Sequence, residues 1–229
     1  IFDTVQANRS GENMLVAVNN LGYLHARVNQ KRVVKGKKVR LTYEIVPGER
    51  YRVRNIRYLI EDSVVERIVR EHAALSSLQP GMPFDLNVLD GERSRISSRL
   101  QNSGYYKFNK EYISYTADTV RNTYQVDVTM HLAPFRQHND DSPQNHRQYY
   151  INKVNFITDY NVLESSALSS IEINDSVHYK GFPIYYKDKL YLRPKVLTNN
   201  LSIVPGSLYN EPDVQRTYSN FGRLQALKY

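Results

Sequence analysis

Val39-Arg-Leu-Thr-Tyr-Glu-Ile-Val-Pro-Gly-Glu-Arg-Tyr-Arg-Val-Arg-Asn-Ile56 is the stretch on which the fold turns. Val39, Leu41, Tyr43 and Ile45 alternate with Arg40, Thr42 and Glu44, the period-two pattern of a strand with one buried and one wet face. Pro47-Gly48 then makes a tight joint. A second strand-like run follows at once, Tyr51-Arg-Val-Arg-Asn-Ile-Arg-Tyr58, in which the apolar phase shifts between the third and sixth positions. That run aligns without gaps on Tyr149-Tyr-Ile-Asn-Lys-Val-Asn-Phe156, with Val53 on Ile151, Ile56 on Val154 and Tyr58 on Phe156. The chain repeats itself, and a repeat at this spacing sets the architecture before any single element does.

Two further echoes extend the repeat. Leu78-Gln-Pro-Gly-Met-Pro-Phe84 parallels Ile203-Val-Pro-Gly-Ser-Leu-Tyr209, a Pro-Gly turn and an aromatic residue ahead of a helix. Ile96-x3-Leu100-x2-Ser-Gly104-Tyr matches Met14-x3-Val18-x2-Leu-Gly22-Tyr, and more loosely Phe221 to Tyr229, where Gln225 takes the glycine's place. Apolar residues at i, i+4 and i+7 put one stripe on a helix, and the glycine supplies a left-handed cap before the next strand. Two strands follow each cap: Leu24, Ala26 and Val28 lead into the Val39 strand, and Lys107 to Thr116 leads into Tyr124, Val126, Val128, Met130 and Leu132. The unit is β-α-α-β-β. Its first helix carries Val64, Val65, Ile68, Val69 and Leu75 on one side, with Asp62 or Ser63 as its cap.

The expected fold class is therefore α+β, a tandem of small three-stranded sheets each covered by two helices. Residues 1–49 hold the later part of one unit, 50–134 a complete unit, 135–147 a polar loop, and 148–229 a third unit whose final hairpin is incomplete. The third unit carries about 35 extra residues near 158–193, in which His178 to Leu192 reads as two short strands that the repeat does not place. A start at Ile1 and an end at Tyr229 within an element are read as marks of an excised piece.

With 229 residues, 41% hydrophobic and 24% charged, the chain has enough apolar material for packed cores. The absence of cysteine excludes thiol catalysis, disulfides, iron–sulfur clusters and cysteine zinc sites. No apolar run approaches the roughly 18 residues that span a bilayer as a helix. Nineteen tyrosines and no tryptophan favour sheets. The net charge of +8 is dispersed apart from Lys31-Arg32 and Lys35-Gly36-Lys37-Lys38, which flank a hairpin turn, so no nucleic acid is expected as partner. Tyr51 and Tyr58 differ in parity, so at most one of them serves as a base-stacking platform unless the strand bulges. Tyr58 is in phase with Ile56 and Ile60 and reads as core. His138 and His146 with Asp140 and Asp141 are of types that suit a divalent ion, but a polar loop gives the same pattern, and the reading is a solvated linker. No nucleophile elbow, P-loop, dinucleotide signature or zinc-protease motif occurs. Neither catalytic nor metal nor cofactor residues are expected, and the chain reads as a non-enzyme.

The string of units resembles POTRA domains, the polypeptide-transport-associated modules of the outer-membrane β-barrel assembly family that includes BamA and TamA. The residues that carry the resemblance are Gly22-Tyr-Leu-x3-Val28, the Val39–Ile56 joint, Gly104-Tyr-Tyr-Lys-Phe108, and Pro205-Gly-x2-Tyr209 with Val214-Gln-Arg-Thr-Tyr218. The tyrosine-rich composition and the insertion are similar to versions in Bacteroidetes-type bacteria, where the TamA counterpart can be a lipoprotein. The resemblance implies an arm on the periplasmic side of the bacterial outer membrane, attached to a C-terminal barrel, which receives unfolded outer-membrane proteins or docks accessory assembly subunits. A generic basic sheet that binds nucleic acid, or a platform for one dedicated envelope partner, are the other readings. In the family the first hairpin strand lies at the sheet edge, where β-augmentation adds a further strand. That maps to Leu24, Ala26 and Val28 and to Phe108, Lys110, Tyr112 and Ser114. Gly22, Gly48, Gly81, Gly104 and Gly206 are the structural glycines.

Overall fold

In the computed structural model, which describes residues 2–137, 142–158 and 173–224, the chain is α+β. It divides into two units, Ile1–Ser97 with Asn109–His146 and Ser98–Phe108 with Arg147–Tyr229. The elements are α1 (Thr4–Asn20), β1 (Arg27–Lys35), β2 (Lys38–Val46), β3 (Arg52–Ile60), α2 (Ser63–Glu71), α3 (Leu86–Gln101), β4 (Ile113–Thr119), β5 (Gln125–Leu132), β6 (Phe156–Ile157), β7 (Asp175–Tyr179), β8 (Phe182–Tyr186), α4 (Pro194–Asn199) and α5 (Glu211–Gly222).

The first unit holds a two-stranded ribbon, β1–β2, and a three-stranded sheet in the order β3-β5-β4. β5 is central, parallel to β3 and antiparallel to β4. Its alternation is complete: Val126, Val128, Met130 and Leu132 are buried, and the residues between them reach solvent. Tyr51, Val53, Leu78, Phe84 and Leu89 close over Val126 and Val128 as one apolar cluster. The phase shift along Tyr51–Tyr58 is a β-bulge. Val53 pairs with Val126 and Asn55 with Asp127, which leaves Arg54 as the extra residue. Arg54 forks onto the Asp127 carboxylate, and this guanidinium holds the Asp127 carboxyl below the ordinary carboxylate range. The bulge buries Tyr51 while Tyr58, beyond it, is half-buried.

Asp62 caps α2 by accepting from the Val64 and Val65 amides at 3.0 and 3.1 Å. Only Val65 and Val69 of the expected stripe are buried in α2. Val64 is exposed because it neighbours Val65 in sequence and so points about 100° away from it, and Leu75 is exposed because the chain has already turned into a 3₁₀ segment, Ala73–Leu75. Glu92 of α3 is buried in this interior and held by Arg95 at 2.6 and 2.8 Å. The phenol of Tyr115 lies near this carboxylate, and burial, then the Glu92 charge, push its pKa up.

The second unit repeats the sheet plan by another route. β6 is parallel to β8, β7 is antiparallel to β8, and the order is β6-β8-β7. Phe156 pairs with Ile184, where the repeat-related Tyr58 pairs with Met130. The hairpin β7–β8 thus takes the sheet position that β4–β5 takes in the first unit, although it precedes the helices α4 and α5 instead of following them. The extra residues of the third repeat therefore build sheet. Their strands lie at Asp175–Tyr179 and Phe182–Tyr186, earlier than the expected His178 to Leu192, because Lys180-Gly181 is the turn. Phe156, Ile184 and Leu197 form the buried centre, with Phe221 of α5 packed against it. The remainder of the extra segment, 159–172, and Gln225 lie outside the described residues.

After β5, Phe135 and Gln144 exchange backbone hydrogen bonds at 2.9 and 3.0 Å across the base of the polar loop. His138, Asp140 and Asp141 fall outside the described residues. His146, read as loop, is instead buried between the rings of Tyr112 and Phe135, with Nε2 donating to the Ala133 carbonyl at 2.9 Å. Burial lowers its pKa, opposed by that carbonyl and by the Asp62 charge. The folded chain then prefers neutral imidazole, so protons bind more readily to the unfolded chain as pH falls past the usual value near 6.5. Stability contributed by neutral His146 is present above that pH and is lost on acidification toward the lower folded-state value. Urea unfolding at pH 7.5 and 5.5 should show a smaller acid loss for His146→Gln than for the parent, and equal losses would contradict the assignment.

Candidate binding edge and the glycine-turn joints

β4 is an edge strand, and hydrogen-bond parity decides what that edge offers. The Tyr112 carbonyl accepts from the Ala133 amide at 2.8 Å just before the strand, and the Val120 amide donates to the Gln125 carbonyl at 2.9 Å just after it. Ladder bonds in an antiparallel pair alternate. With the register Ser114↔His131, Thr116↔Thr129 and Asp118↔Asp127, the even-numbered residues face β5. Tyr115, Ala117 and Thr119 therefore direct their N–H and C=O groups away from the sheet, a row of three residues open to another strand, while the Ile113 amide donates to the Lys110 carbonyl. Ser114, Thr116 and Asp118 are exposed on the sheet's outer face, and Thr116 Oγ1 lies 2.9 Å from His131 Nε2.

The sequence-derived candidates fall differently. Ser114 lies in β4, but its backbone groups belong to the ladder with β5. Phe108, Lys110 and Tyr112 precede the strand: Phe108 is buried, and Lys110–Tyr112 form a 3₁₀ turn capped by Asn109. The turn delays the strand because the Asn109 side chain accepts from the Glu111 amide at 2.9 Å and holds the chain out of extended form. Lys110 instead bonds Asp90 of α3. Leu24 and Ala26 also come before their strand, in turns that follow Gly22, and only Val28 lies in β1. Pattern alternation marked where apolar residues point, whereas unpaired edge backbone depends on which residues already pair, a property of register.

The glycine turns form a second constellation, built twice. At the end of α1, the Gly22 carbonyl accepts from the Tyr51 amide at 2.9 Å; Tyr51 returns its own carbonyl to the Phe84 amide at 2.8 Å. Val53 donates to the Met82 carbonyl at 2.9 Å and accepts from Gly81 at 2.7 Å. The second unit reproduces each bond. Gly104 accepts from Tyr149 at 2.8 Å, Tyr149 from Tyr209 at 2.8 Å, Ser207 from Ile151 at 2.8 Å, and Ile151 from Gly206 at 2.7 Å. Even the side-chain strap recurs: Arg50 Nε donates to the Leu21 carbonyl at 2.7 Å, and Gln148 Nε2 to the Ser103 carbonyl at 2.8 Å.

All five structural glycines have positive φ, but only two are also wedged. A Cβ on Gly22 would stand 2.3 Å from the Phe84 carbonyl oxygen, and one on Gly104 would stand 2.6 Å from Leu208 Cδ1. Aromatic rings close around both turns. Tyr51 packs edge-on to Tyr124 and bonds His25 through its hydroxyl at 2.8 Å. Tyr106 meets Tyr149 and Tyr209 edge-on, with centroids 5.9 and 4.9 Å apart. The Tyr209 hydroxyl bonds Glu211, and burial and this carboxylate raise its pKa. Among the described residues no cluster of three metal-ligating side chains occurs.

In the first unit, a parallel pair flanked by an antiparallel edge, two helices between the first and second strands, and a glycine turn pinned to the opening strand define a small α+β module. The family model for POTRA, described as surface antigen variable number repeat, matches residues 51–133, the stretch from β3 through β5. Among solved structures, POTRA3-5 of BamA from Haemophilus influenzae is 14% identical, with 100% of this chain and 73% of that chain covered and a TM-score of 0.49. The N-terminal domain of Omp85 from Thermosynechococcus elongatus is 14% identical over 97% of this chain and 73% of its own, with a TM-score of 0.32. BamA from Haemophilus ducreyi lacking POTRA domains 1–3 is 22% identical over 58% of this chain, which spans 23% of that one, with a TM-score of 0.35. No curated protein matches the chain in sequence.

Gly22→Ala should lower unfolding stability well beyond Gly36→Ala. Both place a side chain at positive φ, which costs roughly 1–2 kcal/mol, but only at Gly22 does the new methyl meet backbone; nothing lies within 4 Å of it at Gly36. Chemical denaturation measures the difference, and equal losses would remove the wedge from the account.

Proposed function

We propose that the chain is a non-enzymatic arm on the periplasmic side of the bacterial outer membrane, part of an outer-membrane protein assembly or translocation factor. On this reading residues 1–49, 50–134 and 148–229 are successive POTRA-like modules, the polar loop 135–147 separates the last two, and a membrane β-barrel belongs to the same factor. The match of the POTRA family model to residues 51–133 supports the assignment of class. Among the described residues, no helix is long and apolar enough to cross a membrane.

One observation carries the mechanism: the outward row of amides and carbonyls at Tyr115, Ala117 and Thr119. An extended client strand laid against β4 bonds this row by main chain alone, so affinity comes from the backbone and tolerates many client sequences. The exposed Ser114, Thr116 and Asp118 beside it are polar, which keeps the open edge from pairing indiscriminately in the absence of a client.

Ala117→Pro tests the reading. Proline removes an outward N–H and leaves the β5 ladder whole, since residue 117 contributes no bond to it, and an edge strand accepts the ring. With a labelled peptide from an outer-membrane β-strand, the parent should show amide perturbations along residues 113–119. The variant should keep its circular dichroism and bind about tenfold more weakly, the equivalent of ~1.4 kcal/mol. Undiminished binding by the variant would reject β4 as the client edge.

A further inference from the structure

The β1–β2 ribbon carries an end that nothing in the client-edge reading uses. Six of the ten residues from Lys31 to Arg40 are basic and none is acidic. Lys31 reaches Glu44 at 3.6 Å and Arg32 lies over the Phe2 ring, both toward the base. Beyond them, Lys35, Lys37, Lys38 and Arg40 have no acidic partner among the described residues. Gly36, at φ +62°, turns the chain between Lys35 and Lys38, so three lysines crowd one loop.

Apolar side chains stand among these cations. Val33 and Val34 are each 60% exposed and Val39 36%. Directly opposed residues share a face of the ribbon, so Val34 and Val39 lie together on one face, and Val33 lies beside Arg40 on the other. This composition is not required by the hairpin. The β4–β5 tip, residues 120–124, has one cation and is flanked by Asp118 and Asp127. The β7–β8 turn has Lys180 alone, resting over Tyr179.

We infer that the β1–β2 tip docks on an anionic phospholipid surface. Clustered lysines collect beside anionic headgroups, and small aliphatic side chains between them enter the headgroup–acyl boundary. A nucleic acid is disfavoured because the tip from Val33 to Arg40 offers no aromatic ring for a base to stack on. The contact would hold the arm's first module against the leaflet while β4 stays open, and it stands independently of the client edge.

The test is co-sedimentation of the full chain with phosphatidylcholine vesicles and with vesicles in which about 30% of the lipid is phosphatidylglycerol. The chain should bind the second and not the first, and raising salt should release it. Lys35→Gln/Lys37→Gln/Lys38→Gln should weaken binding by about tenfold or more, through loss of lysines near the surface. Val33→Ser/Val34→Ser should weaken it at constant charge. Both variants lie on exposed side chains, and circular dichroism checks that they fold. Ala117→Pro should leave vesicle binding unchanged, which separates this proposal from the client reading. Equal binding by parent and triple variant, no binding to either vesicle, or lysine-dependent capture of an acidic peptide or RNA without vesicle binding would overturn it.

Discussion

The carbonyl of a glycine at φ near +90° accepts a hydrogen bond from a tyrosine that leads into the next strand, and this happens at Gly22 with Tyr51 and at Gly104 with Tyr149. The approach is so close that a methyl group at Gly22 would overlap the Phe84 carbonyl. Glycine is needed there for two separate reasons, the sign of φ, which disfavours a side chain, and the space, which does not admit one. Everything downstream takes its position from this bond. Tyr51 brings in Phe84 and Leu89 above Val126 and Val128, and the strand that starts at Tyr51 becomes β3, whose parallel partner β5 in turn leaves β4 as an edge.

Much of this was legible in residues 39–56 and their echoes, because the joint needs particular residue types at fixed spacing. Glycine, a tyrosine leading into the next strand, and Pro-Gly followed by an aromatic are each dictated by a bond that recurs with nearly unchanged length. The shift of apolar phase after Val53 was visible as well, and its cause is the bulge at Arg54, stabilised by Asp127 seventy-odd residues on. Such a partner leaves no local signal.

Other features follow from pairing, which pattern does not encode. Ser114 and Ala117 look alike as small residues in one strand, yet only Ala117 turns its amide outward. Phe108 has the character of a strand residue and is core, since Asn109 starts a 3₁₀ turn that postpones β4. Glu92 reads as a solvated helix residue until Arg95 closes over it in the interior. The β7–β8 hairpin has strand composition, but its place beside β6 depends on Ile184 taking the position that Met130 takes in the first unit.

A sheet edge serves as a receptor only when its backbone is held extended and its neighbours are fixed, because ordering a loose strand would consume the free energy of pairing. The glycine joint meets that requirement by tying the opening strand to the preceding helix end through backbone bonds instead of side-chain packing alone. Amide hydrogen exchange at Tyr51 and Tyr149 tests this most directly. If both joints are closed in solution, the two amides exchange together with Val53 and Ile151 and on the order of 100-fold or more slowly than the exposed tip amide of Lys37. Exchange of Tyr51 and Tyr149 at the rate of Lys37 would contradict the account.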